Sequence, residues 1–341
     1  MDIVTQGLLG GVLAQSFARK DEKKLASVVG VIAGLLADLD FLIYSSNDPL
    51  LNIEYHRHFS HSLLFIPIGA AIAALLFWPF IRRRLPIPRL YLFSLAGYSM
   101  SGILDACTSY GTHLFWPFSD DRISWNIISI IDPVFTLILL VTFILGLRLQ
   151  RRHITYVGLM LSLSYLSLGF MQQQRAQVLA EKQILVRGHT ATKVVLKPTL
   201  GNLLLWRALY VHNQRIYVDA IRVALFKDDQ VFAGESIAQF KLQKHLPDLD
   251  ISSVLYKDIQ RFITFSDDLV AIDNQQKNIL GDIRYSMLPT STKPLWGIVI
   301  DKDHPQHHAD YQFFRDNSEK IRDIFINMLL GRCATANCDL D

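Results

Sequence analysis

Cysteine is scarce in this chain, with three in 341 residues: Cys107 in an apolar run, and Cys333 and Cys338 in the tail. That number and spacing exclude a disulfide framework and a zinc knuckle, and leave room only for one tail disulfide if that end is exported. Charge of one sign is scarce too. The formal net charge is +3, and the Arg and Lys residues flank hydrophobic segments, where membrane orientation explains them and a nucleic-acid surface does not. Internal repeats and low-complexity stretches are missing. The opening residues Met1-Asp2-Ile3-Val4 lack the basic n-region and small-residue cleavage site of a signal peptide. The first apolar segment is therefore expected to stay in the mature protein.

Apolar residues are plentiful. Half of the residues are hydrophobic and the mean hydropathy is positive, which is high for a soluble protein. The excess lies before residue 172, a half that carries only 13 of the 34 Lys and Arg and 11 of the 31 Asp and Glu. A transmembrane helical domain over 1–171 is expected, followed by a soluble domain over 172–341.

Stretches long enough for the apolar core of a bilayer, about 20 residues each, cover 25–44, 61–80, 90–107, 127–147 and 154–171. A shorter, Gly-rich sixth covers 3–18 and reads as a weak span or a re-entrant helix, with Gly7, Gly10 and Gly11 permitting close helix packing. The fold class expected is thus a mainly α, polytopic bundle of five to six segments. Basic clusters at Arg19-Lys20-Lys23-Lys24, Arg82-Arg83-Arg84-Arg89 and Arg148-Arg151-Arg152 mark the cytoplasmic loops. The N-terminus, residues 45–60, residues 108–126 and everything after 171 then fall outside. The unusual polar residues Asp2, Gln6, Asp38, Asp40, His56, His61, Asp105, His113 and Asp132 all fall at or near the outer ends of their segments.

Beyond 172 the texture changes. Alternation at 216–223 and 295–300 predicts strands. Ile321, Ile324, Phe325 and Met328 repeat at helical spacing behind Asp316-Asn317-Ser318-Glu319, with Gly331 placed to end that helix. An α+β extramembrane domain is expected.

Ionisable groups at a membrane boundary are costly and therefore usually functional. Asp38 and Asp40 close an apolar run, and His56-Arg57-His58-Phe59-Ser60-His61-Ser62 follows. Neutral imidazole and ionised carboxylate are the ligands that a hard or borderline divalent cation accepts. Asp38 and Asp40 would point roughly 200° apart in a regular helix, so both can face one ion only if the helix ends there. The competing role for them is capping or snorkelling at the interface. A loop entering a helix would bring His56 and His61 inward, with Arg57 pairing a carboxylate or a substrate phosphate; His58 is the bystander. Asp105 lies one turn after Ser101, deep in an apolar segment, where the alternative is a helix–helix hydrogen bond. His113 either reaches the site or sits in the headgroup zone, beside the belt residues Trp116 and Phe118. Asp132 before Pro133 suits a helix N-cap. His304, His307 and His308 among Asp301, Asp303 and Asp310 read as a solvated loop rather than a second metal site.

Several linked motifs resemble a bacterial inner-membrane family of proposed metal-dependent hydrolases, some of them LexA-regulated. They are Met1-Asp2…Thr5-Gln6-Gly7, Ala37-Asp38-Leu39-Asp40, His56-Arg57…Ser60-His61-Ser62, Leu104-Asp105-Ala106…Tyr110-Gly111-Thr112 and Trp116-Pro117-Phe118. Gly201-Asn202-Leu203-Leu204-Leu205-Trp206 and Tyr285-Ser286-Met287-Leu288-Pro289 resemble its long branch. The family is thought to be distantly similar to helical zinc-dependent phospholipases C and nucleases. The resemblance therefore implies hydrolysis of a phosphoester or of a membrane lipid or lipid-linked substrate by clustered metals, with zinc the expected ion, in the inner membrane with a periplasmic C-terminal domain. Carried over, the ligand candidates are Asp38, Asp40, His56, His61 and Asp105. Asp38, Asp105 and Arg57 are the expected catalytic groups: an aspartate as base, Arg57 steadying negative charge. Two positions depart from the pattern. Gln6 and Ser101 stand where many members have His, and His113 replaces a usual Gln, so His113 is expected as a sixth ligand that compensates for Ser101. The alternatives are a scaffold or degenerate hydrolase whose outer domain binds an envelope partner, and a proton-coupled transporter using Asp105 and Asp132. One-sided clustering disfavours the transporter, since a carrier needs polar groups near the midplane.

Overall fold

The computed structural model describes residues 1–225 and 228–332, so the expected tail disulfide between Cys333 and Cys338 lies outside the described residues. The chain divides into two compact units. One comprises Met1–Ile43, Tyr55–Met171 and Leu200–Leu203; the other comprises Tyr44–Glu54, Gln172–Thr199 and Leu204–Asp341.

The N-terminal unit is helical. Helix α1 (Ile3–Phe17) starts at Asp2, whose carboxylate accepts from the Val4 and Thr5 amides, satisfying donors that an uncapped helix would strand. Helix α2 (Lys23–Leu36) tightens into a 3-10 turn over Ala37–Leu42. After the 44–54 segment of the other unit, which carries most of the short α3 (Leu51–Tyr55), come α4 (Ile66–Ile81), α5 (Ile87–Tyr98), α6 (Ser101–Cys107), α7 (Pro133–Leu149) and the 35-residue α8 (Arg152–Val186), whose residues after Met171 belong to the other unit. Helices α1, α2 and α5 touch backbone to backbone: a Cβ on Gly10 or Gly97 would run into the Gly30 carbonyl oxygen, so small residues let the axes approach.

By length and composition, three helical stretches among the described residues can cross a membrane: Lys23–Leu42, Leu63–Ile81 and Arg152–Val186. Ile3–Phe17 and Pro133–Leu149 are apolar but shorter. The expected segment 90–107 is instead two helices, broken at Ser99 and Met100, with the Ser101 hydroxyl donating to the Gly34 carbonyl at 2.9 Å. The segment expected at 127–147 becomes helical only at Pro133. Before it, the amides of Ile127 and Ile128 bond the Cys107 carbonyl, and Asp132 caps α7 through the Val134 and Phe135 amides.

The C-terminal unit holds two four-stranded antiparallel sheets. Strands β1 (Val194–Pro198), β2 (Leu205–His212), β3 (Arg215–Arg222) and β4 (Gln230–Ala238) form the first in sequence order. Asn213 and Gln214, both at positive φ, make the two-residue turn between β2 and β3. Helices α9 (Leu242–His245) and α10 (Val254–Phe265) precede the second sheet, β5 (Val270–Ile272), β6 (Ile279–Asp282), β7 (Trp296–Val299) and β8 (Tyr311–Phe313). Helix α11 (Glu319–Leu330) ends at Gly331 in the left-handed region, as the spacing predicts.

The segment 44–54, which in sequence links Asp40 to His56, belongs to this unit. Its Leu50 and Ile53 are buried with Phe240, Leu255, Ile259 and Phe262. Arg261 of α10 binds Asp48 and Glu54 bidentately, at 2.6–3.1 Å. Buried Arg207, next to Trp206, donates to the carbonyls of Ile283, Leu288 and Pro289 at 2.7–3.1 Å and so holds the 283–289 loop.

Candidate metal centre

The tightening of α2 into a 3-10 turn turns Asp38 and Asp40 to opposite nitrogens of one imidazole. His61 Nε2 lies 3.2 Å from Asp38 Oδ1, and its Nδ1 lies 3.1 Å from Asp40 Oδ2. His61 sits in a 3-10 turn, Phe59–His61, whose backbone is fixed by the Tyr98 hydroxyl on the Ser60 carbonyl (2.7 Å). Helix α6 comes against this turn at Gly102, where a Cβ would collide with the His61 carbonyl oxygen. One turn further on, Asp105 Oδ2 reaches 3.2 Å from His61 Nε2.

Asp38, His61 and Asp105 therefore form a triangle whose ligand atoms all lie within 4.8 Å of one another. Asp105 and His61 are fully buried, and the Asp38 side chain is 15% exposed. The donor set fits a zinc-class ion. Zn–N and Zn–O bonds of about 2.0–2.1 Å at tetrahedral angles put neighbouring ligands about 3.3 Å apart, close to the two 3.2 Å edges found here. Asp38 Oδ2 is buried with no hydrogen-bond partner among the described residues. Asp105 Oδ2, though 3.2 Å from both Arg57 Nε and His61 Nε2, is hydrogen-bonded to neither.

Asp40 stands behind His61. Its carboxylate takes His56 Nδ1 (2.8 Å), the Arg57 amide (2.8 Å), the Ser60 hydroxyl (2.7 Å) and His61 Nδ1. With its acceptor positions filled, it orients the imidazole, as carboxylates on the far ring nitrogen do for metal-binding histidines. His56 is held at Asp40 rather than at the triangle. Arg57 occupies a left-handed conformation (φ 62°), is 4% exposed, and brings Nε to 3.2 Å from Asp105 Oδ2. Its guanidinium also stacks on Tyr110, 5.2 Å from the ring centroid. The Met1 amine forms an ion pair with Asp105 Oδ1.

His113 lies apart from the triangle. Its amide bonds the Arg57 carbonyl (3.1 Å), while its ring packs on His58 at 4.5 Å between centroids. Burial, with Arg122 and His58 nearby, pushes its imidazole down to about 4. Ser101 binds Gly34, so His113 does not stand in for it. Gln6 is buried, with neither amide atom partnered among the described residues. Asp132 caps α7 and accepts the Tyr165 hydroxyl at 3.0 Å. Sequence reasoning missed Gly102, whose only signal is its place one turn before Asp105, and the positioning part of Ser60 and Tyr110.

No curated protein and no solved structure is significantly similar to the chain. The family model described as YdjM inner membrane protein matches residues 1–176, the stretch that contains every residue of this centre, and the chain belongs to that bacterial inner-membrane family.

Proposed function

We propose that the protein is a membrane-bound, metal-dependent hydrolase acting on a phosphoester or lipid-like substrate at the periplasmic interface. The observation that carries this is the Asp38–His61–Asp105 triangle with Asp40 behind His61. A zinc-class ion held there supplies a water acidified toward neutrality and a positive charge on the phosphoryl oxygen. Asp40 keeps the His61 proton on Nδ1, so that Nε2 offers its lone pair between Asp38 and Asp105. Asp38, the one partly exposed carboxylate of the three, takes the proton of the attacking water through its free Oδ2. Hydrolysis would form the bond from water oxygen to phosphorus as the P–O ester bond breaks, and the leaving oxygen would receive the proton that Asp38 took. Arg57 acts at Asp105, balancing its charge and holding it in place.

A second reading is an inert ion-pair knot inside a scaffold, with the C-terminal unit binding an envelope partner. Arg57 on Asp105 favours it, since that guanidinium already neutralises one carboxylate. Metal analysis and phosphodiesterase and phosphomonoesterase assays of purified wild type and His61→Ala separate the two. The hydrolase binds metal and loses turnover on substitution. A wild type that is metal-free and inert leaves the scaffold.

A further inference from the structure

The N-terminal unit holds a cavity of about 570 Å³ that no residue of the triangle lines. Arg19 and Lys20 come to it from the loop after α1, and Arg151, Arg152 and His153 from the junction of α7 and α8. The two loops are tied together. Arg152 Nε donates to the Ala18 carbonyl at 3.1 Å, across 134 positions of chain, and one turn on the Tyr156 hydroxyl donates to the Ser16 carbonyl at 3.2 Å. The cavity therefore has a wall held by hydrogen bonds behind its charged rim.

Its lining holds the four permanent cations Arg19, Lys20, Arg151 and Arg152 and no carboxylate. Among the described residues none of the four is in an ion pair, not even with Asp21 next to Lys20. Glu22 accepts the Arg19 amide, but its charge is taken by Arg89. Lys23, at the start of α2, is 1% exposed. Its ammonium donates to the Gly146 carbonyl at 3.3 Å, and the charge that acts on it is Arg152, of the same sign. A buried ammonium near a guanidinium, with no carboxylate on either, is a costly arrangement that a bound anion relieves.

The surroundings select the kind of anion. Phe17 and Leu149, which end α1 and α7, and Tyr156 and Val157, early in α8, are about half exposed. They border the cations in sequence, so an apolar wall adjoins a basic rim, as the acyl chains and headgroup of a lipid require at a bilayer surface. Free phosphate would use the rim alone. Orientation in the membrane needs positive loops but no cavity shared between two of them.

We propose that this cavity binds the phosphodiester headgroup of an anionic membrane lipid through Arg19, Lys20, Arg151 and Arg152, on the side that the basic loops mark as cytoplasmic. It rests on membrane embedding and stands independently of the hydrolase reading, because none of its residues lies in the triangle.

The test is native mass spectrometry of the purified, delipidated full chain in a non-ionic detergent. It is titrated with palmitoyl-oleoyl phosphatidylglycerol, with the zwitterionic phosphatidylcholine of the same chains, and with inorganic phosphate. One phosphatidylglycerol per chain is expected, bound at least about tenfold more tightly than phosphatidylcholine or phosphate. Lys20→Gln/Arg151→Gln leaves the Arg152 tether in place and should weaken it about tenfold or more while melting like wild type. Arg82→Gln/Arg83→Gln removes equal charge from a loop that does not line the cavity, and should change it by less than about twofold. Wild type that holds phosphatidylglycerol no better than phosphatidylcholine would overturn the proposal. So would an unchanged curve in Lys20→Gln/Arg151→Gln, or equal weakening by the two double variants. Inorganic phosphate bound as tightly as the lipid would also overturn it, by assigning the cavity to a free anion.

Discussion

Replacing Asp40 tests how the centre is built. Three donors converge on its Oδ2: the Arg57 amide at 2.8 Å, the Ser60 hydroxyl at 2.7 Å and His61 Nδ1 at 3.1 Å. Among the described residues, Oδ1 receives only His56 Nδ1 at 2.8 Å. In Asp40→Asn the amide oxygen can take the crowded position while the NH₂ faces His56, which accepts by changing tautomer. The cost is then the loss of charge from three hydrogen bonds, about 1–3 kcal/mol. Asp40→Leu is different in kind. Ser60 Oγ lies 3.0 Å from His61 Nδ1, so the freed hydroxyl donates there and drives the ring proton to Nε2, the nitrogen that faces Asp38 and Asp105. The buried Arg57 amide is stranded as well, and the total cost comes to about 3–5 kcal/mol. Zinc affinity at the centre should fall about 10–100-fold or more in Asp40→Leu and much less in Asp40→Asn. Thermal melting and zinc titration measure the two effects. A folded Asp40→Leu protein that binds zinc as tightly as its parent would refute the tautomer argument.

Other consequences can be measured on the same purified protein. Gly102→Ala forces a methyl against the His61 carbonyl, and a destabilisation of about 1–3 kcal/mol with impaired zinc binding is expected; an unchanged melt would show that α6 gives way. His113→Ala should leave zinc affinity at the triangle within about twofold, because the ring packs on His58 instead; a tenfold loss would place it in the ligand set. Arg207→Met strands three carbonyls and should cost about 3 kcal/mol or more in chemical unfolding of the full chain. In β1, burial and then the nearby Arg284 push the Lys197 amine from its usual 10.5 down to about 7. Between those two values the unfolded chain binds more protons than the folded one, so stability rises with pH across that window. Lys197→Met should flatten that rise, and an identical slope in the variant would assign it to other groups.

Much of the architecture was legible because it depends on local composition. The apolar runs at 25–44 and 61–80, the strands around 216–223 and 295–300 and the Gly331 stop follow from periodicity and turn chemistry. The break at Ser99 and Met100 was not, since the sequence stays apolar through it and its cause is tertiary: Ser101 reaching Gly34 and Gly102 meeting His61. The late start of α7 carried a signal, Asp132-Pro133, but Ile127-Ile128 before it are as apolar as a span, and only their bonds to Cys107 show them extended.

The candidate site divides in the same way. The condition that α2 must end for both aspartates to serve one centre could be stated from spacing, and the helix does tighten there. Which aspartate faces forward and which stands behind could not, because it depends on where the 56–62 loop returns. His56 and His113 lie close to Asp40 and Arg57 along the backbone, and only their ring directions separate them from the triangle.

The most direct measurement is a zinc-edge anomalous difference map from crystals of the full chain grown with zinc. A peak is expected within bonding distance, about 2.0–2.3 Å, of His61 Nε2 and of carboxylate oxygens of Asp38 and Asp105, with Asp40 still on His61 Nδ1. Ordered density for those three side chains with no peak between them, and His61 Nε2 hydrogen-bonded to both aspartates, would contradict it.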